Sequence, residues 1–210
     1  MTSSSTATNP KLRTCLRDPI PEITEAACLL DEAVTAHLEG RRDDADQLIR
    51  RANIQAIRDW VESIWGRNTG FLAKRNPFSN AATPLRLKER MPTAAQKFEL
   101  LRRDGYHCRF CGIPVVRTEI GKRIHAPYPR ALPWGRKNID QHAAFQAMWV
   151  QYDHVGPHSG SGTNDLDNIV ITCGPCNFGR MHYSLEDVGL IDPRGREPIR
   201  SSWDGLERFR

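Results

Sequence analysis

Four cysteines fall in two pairs of identical spacing, Cys108-Arg-Phe-Cys111 and Cys173-Gly-Pro-Cys176. Two residues between sulfurs is the spacing of a zinc knuckle, in which both thiolates turn toward one ion. Two knuckles supply the four soft donors of a closed tetrahedral site. Two disulfides, or a Cys-x-x-Cys redox motif, are the competing chemistries. The opening of the chain carries no apolar signal core, which speaks against disulfides. Two copies with knuckle-like glycines, Gly112 and Gly174, speak against the redox motif. The expectation is one structural Zn2+ on Cys108, Cys111, Cys173 and Cys176. The gap from Cys111 to Cys173 is far longer than in a compact zinc ribbon, so the chain between must form structure of its own.

A second set of residues is of a harder kind. Asp153-His154 is followed by a turn-rich loop with Pro157, Gly160, Gly162 and Asn164, then by Asn168, the β-branched run Ile169-Val170-Ile171-Thr172, and Asn177. Residues 152–155 and 169–172 read as a hairpin. Pro175 suits the first turn of a short helix through Asn177 and Arg180. This layout brings Asp153 and Asn177 together as oxygen ligands of a magnesium-type site. Side chains alternate along a strand, so His154 points away from Asp153. An imidazole titrating near neutrality suits a general base acting on an attacking water. Arg180, three residues after Asn177, is the expected phosphate contact. His158, in the loop, is a second. His182 lies five residues after Asn177, off its face, and is left out of the site.

These residues resemble the HNH endonuclease family, with its ββα-metal core. The resemblance rests on Asp153-His154, Pro157 to Gly162, Asn168, Cys173 to Cys176 with Asn177, and Arg180, and on Arg103-Asp104-Gly105-Tyr106-His107-Cys108 ahead of the first knuckle. It covers about half of the chain. Ser161-Gly162 stands where the family has Gly-Gly, and Asn177 where it often has His. The resemblance implies metal-dependent hydrolysis of phosphodiester bonds in DNA, with RNA not excluded. It makes His154 the general base and Asp153 and Asn177 the ligands of a catalytic Mg2+ or Mn2+. It gives Asn168 the task of bracing the loop and orienting His154. A non-catalytic zinc module that binds nucleic acid is the alternative.

The rest of the chain must position these residues. With 210 residues and 39% hydrophobic content it can bury one modest core. The net charge of +5 is compatible with a nucleic-acid partner. No stretch is apolar enough to span a membrane, and a cytoplasmic location is expected. Residues 1–18 read as a mobile N-terminus. Within 19–66 the apolar spacing predicts a helical hairpin, residues 22–39 and 42–65, joined at Gly40. Its Trp60 and Trp65 suggest a homodimer or protein partner. Residues 67–91 form a basic linker whose Lys74 and Arg75 are candidate DNA contacts. The nuclease domain spans 92–190 and opens with a helix over 92–103. Its insertion, 112–151, reads as a strand at 113–116, a Pro-rich basic loop and a helix over 139–149. Tyr128 and Trp134 there are candidates for stacking on bases. Residues 191–210 form a tail that returns to the core. The fold class is α+β: a small zinc-bound ββα-metal core with an N-terminal helical hairpin and extra helices.

Overall fold

The computed structural model describes residues 12–65, 91–156, 165–181 and 183–210. Lys74, Arg75, His158 and His182 lie outside the described residues, as does nearly all of the basic linker.

The N-terminal helices are α1 (Pro21–Leu38), α2 (Arg42–Arg51) and α3 (Gln55–Trp65). The sequence predicts α2 and α3 as one helix, but the chain breaks over residues 52–54. The reason lies in helix α6 (Ala143–Met148). The Asn53 side chain accepts the Ala143 amide at 2.7 Å, and the His142 ring bonds the Ile49 carbonyl at 2.9 Å. One helix end thus satisfies the other's orphan backbone groups. Of the two tryptophans read as a partner surface, Trp60 is buried by the chain itself along with Ile57, Val61 and Ile64, and Trp65 is half-buried. Trp60 also donates to the Asp18 carbonyl at 2.8 Å.

Helix α4 (Ala94–Asp104) opens with a capping box between Thr93 and Gln96 and closes on Gly105, whose φ of 75° is left-handed. The insertion differs from its expected layout. Residues 113–116 form no strand and make only isolated bridges, His107 with Pro114 and Val116 with Trp149. The expected basic loop begins inside a helix, α5 (Thr118–His125). Tyr128 is buried and bonds His37 at 2.7 Å, and Trp134 lies against Gly121. Tyr128 is thus not presented for stacking on a base, and Trp134 is half-buried.

Two antiparallel strands follow, β1 (Val150–His154) and β2 (Ile169–Cys173), with Asp153 opposite Val170 and His154 opposite Ile169. Helix α7 (Gly174–Arg180) starts directly on the second knuckle, with Pro175 in its first turn. It approaches α3 closely because Gly179 has no side chain: a Cβ there would come within 2.5 Å of Ile64. A short α8 (Leu185–Val188) leads to the tail. Leu206 and Phe209 of that tail are buried in the same core as α1 and β2. His37 of α1 stacks on Phe209 at 4.3 Å. Cys28 of α1 is exposed. Among the described residues no helix is long and apolar enough to cross a membrane.

Candidate metal centre and hydrolytic site

The sulfurs of Cys108, Cys111, Cys173 and Cys176 all lie within 4.8 Å of one another. Three of these residues are buried and Cys111 is half-buried. The first knuckle is a tight turn in which Cys108 donates to the Ile113 carbonyl at 2.8 Å and Gly112 to the Cys108 carbonyl at 2.8 Å. It is fixed to the second by Arg109, whose amide bonds the Ile171 carbonyl of β2 at 3.0 Å. As thiols the four depend on one another. Burial opposes charge on Cys108, yet hydrogen bonds from Cys111, Cys173 and Cys176 hold it well below the usual thiol range. Burial and the bond to Cys108 push Cys173 well up. The bond to Cys108, reinforced by burial, does the same to Cys176. Four thiolates this close together and largely buried would need a cation among them. This set can hold one metal ion.

Strand β2 is anchored on its outer edge by residues from α4. Asp104, 1% exposed, accepts the Ile171 amide at 3.0 Å and both arms of Arg103 at 2.8 and 2.9 Å. Arg103 also donates to the Leu166 and Ile169 carbonyls at 2.8 and 2.6 Å. These two residues entered the sequence reading only as part of the run before the first knuckle. Their adjacent opposite charges gave no sign of a contact to a strand more than sixty residues away.

On the other strand, the sequence assigns Asp153 to a cation and Arg180 to phosphate. The structure joins them to each other. Arg180 is 1% exposed. Its Nε donates to Asp153 Oδ2 at 3.0 Å and its Nη2 to Oδ1 at 2.5 Å. Nη2 also reaches the His154 carbonyl at 2.7 Å, and Nη1 the Tyr183 carbonyl at 2.6 Å. Every arm of the guanidinium points inward, so Arg180 offers nothing to a phosphate. Burial pushes the Asp153 carboxyl up from its ordinary value, and the Arg180 charge opposes that push.

His154 is half-buried at the end of β1. Asn168 is 9% exposed, and its amide clasps Gly156: Oδ1 accepts the Gly156 amide at 2.8 Å and Nδ2 donates to the Gly156 carbonyl at 3.1 Å. Asn177 is half-buried on α7. A groove of about 310 Å³ runs beside β1, lined by Lys97, Phe98, Trp149 and Tyr152 among others. The Lys97 ammonium lies 5.3 Å from the centre of the Tyr152 ring. Side chains alternate, so Tyr152 shares its side of the strand with His154.

Comparison of the chain with protein-family models, with curated proteins and with solved structures finds no match.

Proposed function

We propose that the chain is a zinc-bound endonuclease of the HNH type that hydrolyses phosphodiester bonds in DNA. The observation that carries this reading is the hairpin and helix joined to the four-cysteine cluster, with His154 at the strand end and Asn168 closing the turn behind it. For the cluster, zinc is the ion of choice. Four thiolates at about 2.3 Å from a tetrahedral Zn2+ stand about 3.8 Å apart, and Cys111 and Cys173 stand at 3.6 Å. Cys108 and Cys111 with Cys173 and Cys176 would hold such an ion between the knuckles, and it would tie β2 and α7 to the turn after α4.

His154 takes a proton from water as the water oxygen bonds to phosphorus and an ester oxygen leaves. Asn168 limits where the imidazole can sit by fixing Gly156. Lys97 and Tyr152 line the groove on that side of β1 and suit a phosphate and a base. The resemblance also implies Mg2+ or Mn2+ on Asp153 and Asn177. As arranged, these residues do not fit a hard cation, because both Asp153 oxygens accept from Arg180.

The same pairing favours a second reading, a zinc module that binds DNA without cutting it. A cleavage assay on single- and double-stranded DNA and RNA, with no added metal, Mg2+ or Mn2+, separates the two. Cleavage by the wild type, lost in His154→Ala at unchanged zinc content, is expected. Binding without cleavage under every condition would leave only the second reading.

A further inference from the structure

Arg180 is the largest fully buried side chain among the described residues. A guanidinium in that position is unusual, because removing a charge from water costs several kcal/mol that only well-made contacts offset. Here the offset is complete: a two-armed bond to Asp153 and two main-chain carbonyls. A buried pair of this kind is seldom more stable than well-packed apolar residues of the same volume. What the pair supplies is geometry. Arg180 is the last residue of α7, Asp153 and His154 are the last two of β1, and Tyr183 lies beyond the turn at Met181. One planar group thus ties the strand end, the helix end and the outgoing chain together. It grips His154 by its own carbonyl while Asp153 holds the guanidinium from the opposite side of the strand.

We infer that Asp153 and Arg180 form an internal clamp that positions His154, and that Asp153 is not a ligand of a catalytic cation. The inference rests on the reading of His154 as the base. It departs from that reading's usual division of labour, since the acidic neighbour of the histidine serves the backbone and not a metal. Lysine cannot replace Arg180, because a single ammonium cannot span two carboxylate oxygens and two carbonyls in one plane.

The test uses the zinc-loaded full chain with Arg180→Met, Arg180→Lys, Asp153→Asn and the double variant Asp153→Leu/Arg180→Met. Each single neutral change strands a buried charge and should lower Tm by roughly 10 °C. The double variant, with no charge left to strand, should recover at least half of that loss. Its kcat should nonetheless stay tenfold or more below wild type with KM within twofold, because packing is restored and the grip on His154 is not. Arg180→Lys should not rescue kcat. The Mn2+ concentration for half-maximal activity should be the same in Asp153→Asn and wild type. A tenfold rise there at near-normal Tm would make Asp153 a cation ligand and end the proposal. So would a double variant with wild-type kcat, which would make the pair mere packing. If the wild type cleaves nothing, the nuclease reading fails separately, and the clamp is judged by the imidazole resonances of His154. These should move in the double variant, and unchanged resonances would refute the clamp.

Discussion

His142 is a buried imidazole that the proposed chemistry does not use. Its Nε2 bonds the Ile49 carbonyl, its Nδ1 has no partner among the described residues, and burial lowers its pKa to about 4 from 6.5. It is neutral in the folded chain and takes up a proton on unfolding at any pH between those values. The unfolded state then binds more protons, so stability falls as pH drops from about 6.5 to about 4, by roughly 3 kcal/mol in total. Urea unfolding at half-unit pH steps reads this slope, and His142→Gln should flatten it. The residue scale is also where the sequence speaks most plainly. The four cysteines show in their spacing and Asp153-His154 in its adjacency, because metal binding and proton transfer need particular atoms whatever the fold around them. Arg180 shows no such sign. A guanidinium three residues after Asn177 looks the same on phosphate as on Asp153, and only the strand and helix, folded, decide between the two.

Elements were legible where their signals are local and hidden where partners are distant. The hairpin strands and α7 stand where the β-branched run and Pro175 place them, and α4 stands between Thr93 and Gly105. The break between α2 and α3 was not legible, because the apolar stripe continues through it. What interrupts the helix is Asn53, drawn to the start of α6. Helix α5 was masked by the prolines that follow it. Asp104 lends itself to measurement at this scale. Asp104→Ala orphans the Ile171 amide and removes Arg103's partner, and the cost should be roughly 2–3 kcal/mol. A shift in urea midpoint at unchanged m-value reads it. Asp104→Asn, which keeps an acceptor for the amide, should lose less.

The molecule joins its N-terminal helices, its hairpin and its tail in one core cluster. Helix α3 lies against both α6 and α7, and Arg208 near the chain end bonds Asp31 of α1 at 2.6 Å. Removing an ion bound at the four cysteines should therefore unfold more than the knuckles. A strong chelator should abolish helical circular dichroism and expose the four thiols in one coincident transition. Helices that survive while the thiols react would show that the cluster is a separable part. Acid should act in the same direction, since protons compete with metal for thiolates. This shared core is the feature least visible in the sequence. Amphipathic stripes state how much surface must be covered, but the same stripe fits a second chain as well as the chain's own insertion.

The distance along the chain between the knuckles also sets what an ion shared by them would be worth. Cys111 and Cys173 touch across 62 residues, and closing a loop of that length costs about 4 kcal/mol in chain entropy. One knuckle alone supplies two thiolates, half of a closed tetrahedral site. Residues 112–151 lie inside the loop, so an ion held by both knuckles would tie the insertion at both ends. A zinc ion bound there would be a latch across that loop, so the folded state and the closed site would be gained and lost together.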